Sequence, residues 1–168
     1  MLVATRWVLR ALLVLNIVVG LVLLALLAWS FVNEARFLAA ALMVSPAADK
    51  AMFLTGFRIA FSAILPVMIA AHLLFTRLLA ILDSVAAGEP FAAANGQRLQ
   101  VAAWALLAIQ LCDLLFGYGA TMADLAAGER VSGWSPSIAG WLSVLLVFVL
   151  ARVFREGARL RAEAELTI

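Results

Sequence analysis

The sequence carries one cysteine, one histidine, one tyrosine and four prolines in 168 residues, and only 13% of it is charged. Each scarcity excludes something. A lone cysteine, Cys112, cannot close an intramolecular disulfide, and inside an apolar run it serves as a small hydrophobe. A lone histidine, His72, excludes the paired-histidine spacing of a His-Glu-x-x-His metalloenzyme, and no glycine-rich stretch has phosphate-cradling spacing. No serine has an intramembrane histidine and carboxylate at matching depth, so no catalytic triad is expected. These lacks point to a non-enzymatic protein with no catalytic residue, metal or cofactor. Net charge is only +2, without the dense, aromatic-interleaved basic patch that direct nucleic-acid binding needs.

What is abundant is apolar. Hydrophobic residues make up 67% of the chain, against roughly half in ordinary globular domains. A soluble domain of this size could not hide that surface, so lipid is its natural solvent. Ala11 to Asn33 carries no Asp, Glu, Lys or Arg; nor does Ile59 to Thr76, which continues through Leu78–Leu82 past Arg77. Leu99 to Ala123 carries only Asp113, and Val131 to Ala151 none. A helix needs about 20 apolar residues to cross the hydrocarbon core. The sequence therefore predicts an all-α membrane protein: a four-transmembrane-helix bundle forming a single membrane domain over residues 1–168. Its spans are expected near 9–31, 57–81, 99–121 and 137–156, with a helical tail over 157–168. The runs are continuous, not alternating, which excludes a barrel. No internal repeat suggests an inverted-repeat transporter. The first run is too long for a signal peptide and reads as a retained helix.

Proline and glycine mark the breaks. Pro66 frees the carbonyl of Ser62 and predicts a kink in the second span. Pro136 suits the first turn of the fourth. Phe37 to Val44 should prolong the first helix or lie in the interface until Ser45-Pro46 interrupts it.

Basic residues set the orientation. The N-terminus, the 77–98 connection and the C-terminus share a side holding eight of them: Arg6, Arg10, Arg77, Arg98, Arg152, Arg155, Arg159 and Arg161. The opposite side holds four: Arg36, Lys50, Arg58 and Arg130. The reading is N-in/C-in, with a cytoplasmic C-terminal helical extension. Trp7 and Trp104 then fall near the inner interface, Trp29 and Trp134 near the outer one. An alanine- and arginine-rich, lysine-poor composition suggests a GC-rich bacterial genome, hence a bacterial inner (cytoplasmic) membrane. The lipid bilayer is the first partner, and the sequence admits an oligomer.

Four polar residues lie inside the spans: Asn16, His72, Gln110 and Asp113. Counting about 1.5 Å per residue from the cytoplasmic boundary puts Asn16 near 10 Å, His72 near 13 Å, Gln110 near 16 Å and Asp113 near 21 Å. The first three share a slab and are expected to be able to hydrogen-bond across three helices. Gln110 and Asp113 share a helix face. The favoured reading is interhelical glue, typically about 0.5–2 kcal/mol per contact. The alternative is a small transporter, channel or proton-coupled subunit using His72 and Asp113.

On the cytoplasmic side, the inner loop runs Gly88-Glu89-Pro90-Phe91, then Asn95 and Leu99. Gly88 suits a left-handed helix stop and Pro90 the first turn of a new helix. The tail runs Phe154, Gly157, Leu160, Glu163, Leu166, Thr167 and Ile168, with charges four apart at Arg152/Glu156, Arg159/Glu163 and Arg161/Glu165. The plain reading is a membrane hairpin followed by a solvated helix end. The sharper one is a docking surface.

These two stretches resemble the signatures of a bacterial membrane family, domain of unknown function 2975. Its inner loop has the form Gly-x-Pro-Phe-x-x-x-Asn-x-x-x-Leu, here Gly88, Pro90, Phe91, Asn95 and Leu99. Its tail has the form Phe-x-x-Gly-x-x-Leu-x-x-Glu-x-x-Leu-Thr-hydrophobic, here Phe154, Gly157, Leu160, Glu163, Leu166, Thr167 and Ile168. Glu165 stands where the family often has Asp, which keeps the charge. The resemblance implies four spans and no established activity. It also implies a cytoplasmic partner, since members are often encoded beside small helix-turn-helix transcription regulators. The expected docking residues are those of the two signatures; the same pattern also admits a tail folded back onto the loop.

Overall fold

A computed structural model describes residues 2–44, 49–128 and 133–165. Among them the elements are all helical: α1 (Leu2–Val32), α2 (Glu34–Val44), α3 (Lys50–Ser62), α4 (Ile64–Ala86), α5 (Ala93–Ala127) and α6 (Ile138–Glu165). Four stretches are long and apolar enough to cross a membrane: Val3–Val32, Lys50–Ala86, Ala93–Ala127 and Ile138–Glu163. Helix is the required answer in lipid, where each backbone N–H and C=O must be satisfied within its own segment. The chain is thus a multi-pass membrane protein.

The breaks follow local chemistry. α3 stops at Ser62 and α4 starts at Ile64, so the second span is kinked just ahead of Pro66, which has no N–H for the Ser62 carbonyl. Asp49 caps α3, its carboxylate accepting from the Met52 N–H at 2.9 Å. Phe37 to Val44 belongs to a separate helix rather than to α1: α1 ends at a bend on Asn33 and α2 begins directly after it at Glu34. The prolines of the loops sit further out than expected. α5 begins at Ala93, three residues past Pro90, and α6 at Ile138, two past Pro136, so neither proline occupies a first helical turn. Ser45 and Pro46 lie outside the described residues.

The chain divides into two compact units, one of Met1–Asn16, Ile69–Ile109 and Ile138–Ile168, the other of Ile17–Met68 and Gln110–Ser137. Their interiors share an unusual composition. Of the fourteen buried apolar side chains among the described residues, nine are alanine, while Leu, Val and Trp side chains are exposed along α1, α5 and α6. Small residues inside and large ones outside is the packing expected in lipid, where close backbone approach, not hydrophobic burial, drives helix association.

In the second unit, α3 crosses α5 through glycine. A Cβ on Gly56 would lie 2.6 Å from the Gly119 carbonyl oxygen, and one on Gly119 would meet the backbone at Ala60. Beside this crossing Trp29, Phe37, Phe57 and Phe61 form a run of aromatic contacts with successive ring centroids 5.8, 4.7 and 4.1 Å apart. In the first unit, α5 meets α6 at Gly96, with the backbone of Arg155 3.2 Å from where a Cβ would stand.

Candidate functional site

The first unit holds the loop and tail signatures, and the structure shows what most of their residues are for. α4 ends in a Schellman motif: Glu89 N–H donates to the Ser84 carbonyl and Gly88 N–H to the Val85 carbonyl, with Gly88 at φ +84°. Only glycine takes that conformation without strain. The returning chain is then clasped by Asn95, whose exposure is 0%. Its Nδ2 donates to Ser84 Oγ at 2.6 Å and to the Pro90 carbonyl at 3.0 Å. Its Oδ1 accepts from Arg98 Nη1 at 2.9 Å, and Arg98 reaches the Ala80 carbonyl at 3.0 Å. One amide therefore ties the end of α4, the turn and the start of α5, and Arg98 closes the ring.

The tail joins this clasp through aromatics. Phe91 and Phe154 stand 5.5 Å apart between ring centroids. Gly157 faces the same Phe91 ring, with carbon 3.2 Å from where a Cβ would be. Leu99 is buried, and Arg155 reaches Gln100 at 3.1 Å. Phe91, however, keeps 45% of its surface exposed and Leu160 keeps 55%. Glu163 pairs with Arg159 at 3.3 Å, the expected partner four residues back. Glu156 pairs with Arg159 at 3.0 Å, not with Arg152. Leu166, Thr167 and Ile168 lie outside the described residues, as does the Glu165 side chain.

The polar residues within the spans have different surroundings. His72 is exposed, and its imidazole has no hydrogen-bond partner among the described residues, so the expected hydrogen bonding of Asn16, His72 and Gln110 is not made by His72. Gln110 Nε2 is buried without an acceptor among the described residues. Asp113 has a partner the sequence did not suggest: Trp134 Nε1 donates to it at 3.3 Å, and the same indole lies on Gly117 one turn further along α5. Trp134 is thus packed on α5.

Sequence reasoning also missed the ion pairs that join helices. Arg6 on α1 meets Asp83 on α4 at 2.6 Å. Arg58 donates to the Ser30 carbonyl and to Glu34 at 2.9 Å, and its guanidinium lies 4.2 Å from the Phe31 ring centroid. The bend at Asn33 leaves the fully buried Ser30 with a carbonyl in need of a donor, and Arg58 supplies it. The signals were present as charges beside spans, but which helix each would face was not.

The family described as Protein of unknown function (DUF2975) matches residues 40–168. Comparison with curated proteins and with solved structures gives no match.

Proposed function

The chain belongs to the DUF2975 family, and on that footing we propose that it is a non-enzymatic regulator in the bacterial inner membrane, with both termini cytoplasmic. Its loop and tail dock a soluble partner, of which a helix-turn-helix transcription regulator is the leading example. The observation that carries this reading is the Phe91–Phe154 contact, which brings the loop and tail signatures onto one surface. Gly88, Asn95 and Gly157 are used up in building that surface, while Phe91 and Leu160 remain 45% and 55% exposed on it. Apolar side chains in that position suit a partner's apolar groove or helix. The eight-to-four excess of basic residues supports reading this end as the cytoplasmic one.

In-membrane crosslinking and capture from the native host tests it, comparing the intact chain, Leu160→Glu and a chain truncated before Phe154. A soluble helix-turn-helix protein recovered only with the intact chain supports the reading. If no soluble protein comes with any of the three, the clasp is internal packing and the docking role is lost.

A second reading, a small transporter, channel or proton-coupled subunit using His72 and Asp113, has one observation in its favour: Gln110 leaves a buried donor one turn from the Asp113–Trp134 bond. Proton flux in liposomes abolished by Asp113→Asn would support it. Absence of flux in the unmodified protein would remove it.

A further inference from the structure

The eight basic residues on one side are not equivalent. Five have protein partners: Arg6 holds Asp83, Arg98 holds Asn95 and the Ala80 carbonyl, Arg155 holds Gln100, Arg159 holds Glu156 and Glu163, and Arg161 also has a partner. The other three, Arg10, Arg77 and Arg152, are exposed and have none among the described residues. They belong to the same unit, one each on α1, α4 and α6.

Their heights agree. Arg10 lies four residues along α1 from Arg6, and Arg77 six residues back along α4 from its partner Asp83, so both sit about 6–9 Å inward of that ion pair. Arg152 is three residues, about 4.5 Å, inward of Arg155, which packs on the start of α5 at Gly96. Exposed large apolar side chains flank each on its inward side and thin out beyond Arg77 and Arg152 to Val85, Val153 and Leu160, while on α1 Val3, Trp7 and Val8 are exposed beyond Arg10 as well. Val14 and Leu15 follow Arg10; Ile69 and Leu73 precede Arg77; Leu142, Leu145, Leu146 and Val149 precede Arg152, and all are exposed. A side chain at the edge of a lipid-facing band lies at headgroup depth, where an arginine stem can reach the phosphates. An exposed guanidinium there, with no carboxylate partner among the described residues, calls for an anion from outside.

We propose that Arg10, Arg77 and Arg152 form a girdle that binds anionic phospholipid headgroups, while the partnered arginines hold the helices together. The fork of the guanidinium matches a phosphate's oxygens, and the net negative headgroup supplies the charge that the protein withholds at these three positions. This inference stands independently of any soluble partner.

The test uses the intact protein in detergent, offered equal amounts of phosphatidylglycerol and phosphatidylcholine with the same acyl chains. The lipids that remain bound are counted by native mass spectrometry. Phosphatidylglycerol should be enriched, and the combined Arg10→Gln, Arg77→Gln, Arg152→Gln variant should lose that enrichment by about fivefold or more, the effect of about one surface arginine near an anionic headgroup. A charge-matched variant with Arg155→Gln, Arg159→Gln and Arg161→Gln should keep it. Equal loss in both variants would reduce the effect to bulk charge and overturn the proposal, as would no loss in the first. Displacement of the lipid by inorganic phosphate would assign the positions to a free anion instead. Should the first variant fail to fold, Arg→Lys at all three positions keeps the charge and should keep the enrichment. Each single Arg→Gln change should then lower it, and three indifferent single variants would end the idea.

Discussion

Asn95 has 0% of its surface exposed and makes three hydrogen bonds, to Ser84, the Pro90 carbonyl and Arg98. Replacing it with alanine removes the donor to the Pro90 carbonyl and the acceptor for Arg98 together. Asn95→Ala should cost about 1–3 kcal/mol, the usual effect of leaving buried polar groups unmatched. Thermal unfolding in detergent reads this directly, and an unshifted midpoint would mean that water replaces the amide. Two glycines separate two other residue-scale effects. Gly88 has open space around it but a φ of +84°, so Gly88→Ala acts through the backbone alone, at about 1–2 kcal/mol. At Gly56 the backbone is ordinary helix and the space is missing: a methyl would stand 2.6 Å from the Gly119 oxygen. Gly56→Ala should therefore force α3 and α5 apart, with an overpacking cost of about 1–3 kcal/mol. Relief by a larger cavity is not available at a backbone–backbone contact, so no second-site change at a neighbouring side chain should rescue it.

At the scale of elements, what could be read from the sequence divides along a physical line. The spans were legible because a stretch free of charge is a property of the chain itself, and the break at Ser62 was legible because Pro66 acts on its own helix. The Gly88 stop was legible for the same reason. The start of α5 at Ala93 and of α6 at Ile138 were not, because a proline suits the loop ahead of a helix as well as its first position; at Pro90 the Asn95 bond to its carbonyl holds it in the turn. The partners of Arg6, Arg58 and Asp113 were illegible in principle: each depends on which face of another helix comes near, and helices apolar all round give little amphipathic signal. The signature residues were legible as a set, but Ser84 and Arg98, which complete the Asn95 clasp, fell outside the signature that drew attention to it. Arg58 shows how such a hidden partner matters to an element. The bend between α1 and α2 leaves the Ser30 carbonyl to its guanidinium. Arg58→Met keeps the apolar stem and removes the donor, so it should destabilise the protein by about 1 kcal/mol, the upper part of the range for interhelical bonds in membranes. Amide exchange at the α1–α2 junction should rise with it; a junction equally protected in the variant would show that the bend needs no such donor.

At the scale of the whole molecule, the orientation proposed from basic residues has a direct check that the sequence makes simple. Cys112 is the only cysteine, so a Cys112→Ala background carries no thiol and any introduced cysteine reports its own position. Ser135, exposed beside Trp134, and Arg159, exposed on α6, lie on opposite sides of the fourth span if that span crosses the bilayer. With the termini inside, a membrane-impermeant maleimide added to intact cells should label the Ser135→Cys protein and spare the Arg159→Cys protein until the membrane is opened. The bias behind this expectation is eight basic residues against four, and it counts residues within reach of the span ends, where the rule operates. The reverse labelling pattern would place the loop–tail clasp outside the cell, where no transcription regulator could meet it, and would remove the proposed function. Labelling of both positions in intact cells would mean that the fourth helix does not cross. The proposed lipid girdle would survive reversal of orientation in detergent but would lose the anionic cytoplasmic leaflet as its natural setting. The same pair of cysteines thus tests the topology, the docking role and the setting of the lipid contact at once.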